Sequence, residues 1–201
     1  MQIIPCPPYE AAIKIAKARL STSGIIVYPT DTIYGIGCDG LDGDAIRRIR
    51  EIKMRDAQKP FSLNFSSWEQ AQKYVEIDET LKEKLDKMAP GPYTFLLPLK
   101  EPMPVADGMV LGCRIPDNEF CKQIGMEFEN PIVSTSANVS GNKSPSSVAE
   151  IDERILKKAD LVIDGGPTKY AQGSTIIDVL NKRILRRGAG EEKAQKWLES
   201  L

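Results

Sequence analysis

Hydrophobic positions along the chain change period several times, and the changes mark its elements. Tyr9, Ala12, Ile13, Ala16 and Leu20 recur at helical spacing and predict an amphipathic helix over 9–20, with Gly24 as its stop signal. Residues 25–28 form a short apolar run, three of its four residues β-branched, which predicts a strand. It ends in the polar turn Pro29-Thr30-Asp31-Thr32, expected to be exposed. A second helix is predicted over 42–53: Ala45, Ile46, Ile49 and Ile52 share one side, and Arg47, Arg48 and Arg50 fall elsewhere. Residues 61–65 read as a strand, and Ser67 with Gln70 has the spacing of a helix-start capping box, so a strand-to-helix connection is expected.

Pro90-Gly91-Pro92 breaks the chain before a strand over 94–99. Further strands are predicted at 110–115, 131–134, 161–163 and 175–180. Two helix candidates lie between them, the better one starting at Ser147 with Glu150 three residues on. A short charged helix closes the chain at 191–201. Strands and helices alternate irregularly, which predicts a mixed sheet covered by helices. No repeat or linker divides the chain, so 1–201 is read as a single domain.

Composition narrows the chemistry. With 41% apolar residues in 201, the chain can enclose one good-sized core. It has no apolar run of about eighteen residues and no secretory leader pattern, so no membrane association and a cytoplasmic location are expected. Cys6, Cys38, Cys113 and Cys121 form no C-x-x-C pair and read as reduced and structural. Histidine is absent, which removes Ser-His-Asp triads, Cys-His nucleophiles and H-E-x-x-H zinc sites together. Chemistry is left to Lys, Arg, hydroxyls and amides, a set suited to phosphates and carboxylates. The net charge of −1 implies no general polyanion-binding surface, so any basic site must be local.

Gly35-x-Gly37-x-x-Gly40 matches the dinucleotide fingerprint literally, but it does not open directly into a helix, and Ile36 and Cys38 alternate as in a strand. No Walker-type loop exists. Arg47, Arg48, Arg50, Lys53, Arg55 and Lys59 fall within thirteen residues, either as a solvated helix face or as a convergent anion clamp. The run from Ser134 to Gly141 packs hydroxyls and an amide after an apolar piece, as an anion-binding loop or an ordinary surface turn. Arg114, inside a strand-like run, calls for an anion, a structural salt bridge or an exposed edge.

PTDTIYGIG from Pro29, KMRDAQKP from Lys53, PGPYTFLL from Pro90, CRIP from Cys113, STSANVSG from Ser134, SPSS from Ser144, DGG from Asp164, GSTIID from Gly173 and ILRRGAG from Ile184 occur in one order. In that order the chain, from about Ile25 to Gly188, resembles the threonylcarbamoyl-AMP synthase family (TsaC/YrdC-like) in its single-domain form. The resemblance implies an α/β (α+β) fold: an open twisted mixed sheet flanked by helices, with a concave basic groove. It also implies condensation of L-threonine, bicarbonate and ATP to threonylcarbamoyl-AMP and pyrophosphate, for modification of a tRNA adenosine beside the anticodon.

By the same resemblance, Lys53, Arg55, Ser136 and Asn138 are the hallmark catalytic set. Arg55, Lys59, Ser136, Ser144 and Arg186 would contact ATP, and Thr32, Asn64, Arg114, Ser134 and Ser174 would line the threonine pocket. Asn64 stands where many relatives have histidine, and Arg187 where proline is usual. Mg2+ would arrive with ATP, with no dedicated protein ligand. tRNA or double-stranded RNA and a downstream threonylcarbamoyl-transferase complex are the implied partners. The alternatives weighed are a non-catalytic RNA-binding module of the same fold, and a paralogue acting on another carbamoyl compound.

Overall fold

The computed structural model describes residues 2–54 and 60–201. Among the described residues, ten strands form one sheet: β1 (Gln2–Pro5), β2 (Ile26–Tyr28), β3 (Gly35–Gly37), β4 (Ser62–Asn64), β5 (Tyr93–Pro98), β6 (Val110–Arg114), β7 (Ile132–Ser136), β8 (Leu161–Asp164), β9 (Thr175–Asp178) and β10 (Arg183–Arg186). Their order is β1-β8-β2-β3-β7-β4-β6-β5-β9-β10. β1, β8 and β2 run parallel, as do β4 with β6 and β5 with β9, and the remaining neighbours are antiparallel, so the sheet is mixed.

Successive side chains in a strand point to opposite faces, and here the two faces are covered unequally. One face carries Val27, Ile36, Leu63, Phe95, Leu97, Leu111, Cys113, Val133 and Ile177, and packs against most of the helices. Those helices are α2 (Gly43–Lys53), α3 (Trp68–Ala71), α4 (Glu79–Asp86), α6 (Glu153–Lys158) and α7 (Glu191–Glu199). Phe95 lies between Trp68 and Trp197, with ring centroids 5.7 and 5.2 Å away in edge-on contacts. On the other face, α1 (Tyr9–Leu20) and α5 (Glu119–Phe128) seal only the half containing Ile26, Tyr28, Ile132, Leu161 and Ile163. Among the described residues, no helix covers the same face of β4, β6, β5 and β9, and there the groove lies.

Local signals explain the well-formed helices. Asp42 Oδ1 accepts from the amides of Asp44 and Ala45 at 2.9 and 3.0 Å and starts α2, while Met54 in the left-handed conformation ends it. Ser67 caps α3 through the Gln70 amide, although that helix has a single turn. The Ser147 signal gives only a 3-10 turn over Val148–Glu150. Glu150 turns its carboxylate onto the Ser146 amide at 2.7 Å, and helix α6 begins later, behind Asp152, whose carboxylate accepts from the Arg154 amide at 2.9 Å.

The turn at Pro29-Thr30-Asp31-Thr32 is buried, contrary to the expectation from its polar residues: Thr30, Asp31 and Thr32 are 2%, 1% and 0% exposed. Each finds an internal partner, as the site shows. Gly37 is required where it stands, since a Cβ there would come within 2.0 Å of the Val133 carbonyl across the sheet. The glycine pattern therefore serves close strand packing. All four cysteines are free and buried. Among the described residues, no helix is long and apolar enough to cross a membrane.

Candidate active site

The groove has a volume of about 510 Å³, within the range of roughly 300–1,000 Å³ usual for small-molecule pockets. Its floor is the uncovered sheet face: Thr94 and Leu96 from β5, Val110, Gly112 and Arg114 from β6, Ser62 from β4 and Ile176 from β9. Its rim comes from Thr30 and Thr32, from Ser134, Ser136 and Ser144, and from Ser174, Leu185 and Arg186. Among the described lining residues, Asp107 is the one carboxylate.

Arg114 sits at the end of β6, 5% exposed, with Nη2 paired to Asp31 Oδ1. Neither Arg114 Nε nor Asp31 Oδ2 has a hydrogen-bond partner among the described residues, although both are buried. Leaving such an atom unpaired costs about 1–3 kcal/mol or more where charge is involved. Of the readings of Arg114, the salt bridge is formed, with Asp31, and the exposed edge is not, since the side chain is buried.

Thr30 Oγ1 donates to the Ile33 carbonyl at 2.7 Å and accepts from the amides of Thr32 and Ile33 at 3.1 and 3.3 Å, so it is fully engaged within its own turn. Thr32 Oγ1 lies 3.0 Å from it, at the rim of the groove. On the opposite side, Arg186 donates from Nε and Nη2 to the Ser174 carbonyl at 3.1 and 2.8 Å, and from Nη2 to Ser174 Oγ at 3.1 Å. Desolvation, and next the nearby Arg114 charge, lower the pKa of Arg186, which marks the groove between the two guanidiniums as a place for an anion. Gly188 allows this closure, since a Cβ there would lie 2.3 Å from the Gly173 carbonyl and 2.6 Å from that of Ser174.

The cationic run divides. Arg47 pairs with Asp44 at 2.7 Å and Arg48 with Asp160 at 3.3 Å on the surface, while Arg50 covers the Phe61 ring at 4.8 Å. Lys53 turns inward: it is 1% exposed, and its ammonium donates to the carbonyl oxygens of Ser136 and, at 2.8 Å, Asn138. The Lys53 carbonyl in turn accepts from the Ser140 amide at 3.1 Å. The end of α2 is thus the backing of the Ser134–Gly141 loop, and Lys53, Ser136 and Asn138 are brought together. Arg55 and Lys59 lie outside the described residues.

Of the ten other residues picked from the sequence, Thr32, Arg114, Ser134, Ser136, Ser144, Ser174 and Arg186 line the groove. Lys53 and Asn138 stand behind it. Asn64 is also set back, donating from Nδ2 to the Tyr28 hydroxyl at 3.1 Å, with its own Oδ1 buried and without a partner among the described residues. Sequence reasoning missed Asp31, Thr30 and Thr94. Thr94 was legible in principle, because strand alternation places it opposite the core residues Phe95 and Leu97.

No buried thiol competes as a nucleophile. Burial pushes the thiols of Cys38, Cys113 and Cys121 far above their usual range.

Residues 18–188 match the family Sua5_yciO_yrdC, described as "Telomere recombination". A Methanocaldococcus jannaschii protein provisionally named as a threonylcarbamoyl-AMP synthase is 35% identical over 93% of this chain and 89% of its own length. The threonylcarbamoyl-AMP synthase of Xanthomonas campestris is 32% identical over 89% of this chain and 99% of its own. The crystal structure of P. abyssi Sua5 complexed with L-threonine superposes with a TM-score of 0.90 at 32% identity over 98% of this chain, which spans 60% of that protein.

Proposed function

Because this chain belongs to the Sua5/YciO/YrdC family, we propose that it condenses L-threonine, bicarbonate and ATP to threonylcarbamoyl-AMP with release of pyrophosphate. The observation that carries this reading is the buried Arg114 guanidinium, held by Asp31 and lining the groove with Thr32, Ser134 and Ser174. A buried fork of N–H donors suits an amino-acid carboxylate.

In this reading the threonine amine bonds the bicarbonate carbon, a C–O bond breaks and water leaves, giving N-carboxy-threonine, a carbamate that is already anionic. One of its oxygens attacks the α-phosphorus of ATP, the α–β bridging bond breaks, and pyrophosphate leaves with the electron pair. Such a displacement depends on alignment and charge neutralisation rather than on a titrating base, which a protein without histidine can manage. Arg186 and Ser144 serve the phosphates, joined on motif grounds by Arg55 and Lys59. Lys53 holds the loop so that Ser136 faces the reacting phosphate, and Asn138 braces it, donating to the Asn142 carbonyl at 2.5 Å. Asn64 acts from behind the threonine pocket.

Mg2+ enters as part of MgATP. Among the described residues no group of three or more His, Cys, Asp or Glu side chains comes together, so no protein site for the ion is assigned. The product, a mixed anhydride of a carbamic acid and AMP, is an acyl donor, and it would pass to a transferase complex acting on tRNA.

Pyrophosphate release in the presence of MgATP tests the reading. Release that requires both threonine and bicarbonate, with an adenylate of the mass of threonylcarbamoyl-AMP, is expected. A folded protein that binds tRNA yet releases none under any combination would instead be a binding module.

A further inference from the structure

Thr94 is 3% exposed, lines the groove and belongs to none of the charged or hydroxyl-rich motifs. Its Oγ1 lies 2.8 Å from Ser174 Oγ, either atom being a geometrically allowed donor. Arg186 donates from Nη2 to Ser174 Oγ at 3.1 Å and takes one of its two lone pairs. Thr94 and Ser174 share one hydrogen bond, so one hydroxyl proton of the pair is left to the groove that both residues line.

The place it points to is defined by the sheet register. Phe95 pairs with Cys113 across β5 and β6, both facing the core, so the preceding Thr94 and the following Arg114 stand side by side on the groove face. Two hydrogen-bond donors, one charged, flank one point.

We propose that Thr94 is a further substrate-binding residue, donating from Oγ1 to the threonine carboxylate beside Arg114. This rests on the reading that the groove condenses threonine with ATP.

Pyrophosphate release with threonine titrated at saturating MgATP and bicarbonate tests it in Thr94→Val, which keeps the shape and loses the hydroxyl, and in Thr94→Ser, which keeps the hydroxyl. Loss of a hydrogen bond to a charged group should raise the threonine KM about tenfold or more in Thr94→Val, with the ATP KM and the circular dichroism spectrum unchanged. Thr94→Ser should stay within about twofold of wild type. An unchanged threonine KM in Thr94→Val, or equal losses in Val and Ser, overturns the inference. Should Thr94→Val fail to fold, an unchanged threonine KM in Thr94→Ala overturns it. A wild-type protein without threonine- and bicarbonate-dependent release overturns the functional reading and this inference with it, whereas an active wild type matched by Thr94→Val overturns this inference alone.

Discussion

Asp31 and Arg114 meet as an ion pair from which water is excluded at both ends, the side chains being 0% and 6% exposed. Removing one partner leaves the other charge stranded. Arg114→Ala should lower the unfolding free energy by about 3–5 kcal/mol in urea titrations and abolish pyrophosphate release. The double replacement Asp31→Asn with Arg114→Met should recover most of that stability and none of the activity. A double variant as unstable as the single one would show that the pair is not the source of the loss.

Lys53 reaches the carbonyl oxygens of Ser136 and Asn138 from inside the molecule. Lys53→Met retains the stem and deletes the donors, at a cost of about 1–3 kcal/mol for each carbonyl left dry. Amide exchange over 134–141 should accelerate while that of α1 stays as in wild type. Turnover should fall by a factor on the order of a hundred, the usual consequence of a misplacement near 1 Å. Unaltered exchange in that loop would contradict the tethering role.

Gly188 lies against the carbonyls of Gly173 and Ser174 with no space for a methyl group. Gly188→Ala should cost about 1–3 kcal/mol by overpacking and, by pushing β10 from β9, separate Arg186 from Ser174. The expected kinetic signature is a raised KM for both ATP and threonine. No rise in either KM, in a folded variant, would argue that the strand ends adjust freely.

Far from the groove, Glu69 is held at a pKa of about 2, down from 4.5, mainly by the hydrogen bond from Lys82. A carboxylate with a depressed folded pKa contributes stability that is fully present above 4.5 and is lost as pH falls towards about 2. The wild-type advantage over Glu69→Gln in urea midpoint should therefore hold at neutral pH, shrink across that window and vanish below it. Because the pair is exposed, high salt should reduce it as well.

Much of this architecture is readable in the sequence where one physical preference acts alone. Ala45, Ile46, Ile49 and Ile52 repeat at helical spacing behind the Asp42 cap, and α2 forms there. In ETLKEKLD only two leucines interrupt the charge, so α4 leaves little periodic signal; its start is nevertheless capped, Asp78 accepting from the Leu81 amide at 2.7 Å. The turn at Thr30–Thr32 reads as exposed because its side chains are polar, and its burial depends on Arg114, more than eighty residues further on in the chain. The cationic run is visible as charge, but which of its members points inward depends on where the Ser136 carbonyl falls, and no local pattern encodes that. The place of Thr94 beside Arg114 is further removed still, since it follows from the register of β5 against β6.

The uneven covering of the sheet has a consequence for how such a protein can change over generations. Along β4, β5, β6 and β9, each residue that seals the core alternates with one that faces the groove. Inheritance of a stable scaffold and of a particular chemistry are therefore carried by interleaved letters of the same strands. Where a groove-facing position is not tied into the fold as Arg114 is by Asp31, a lineage can revise it with the core beneath left in place.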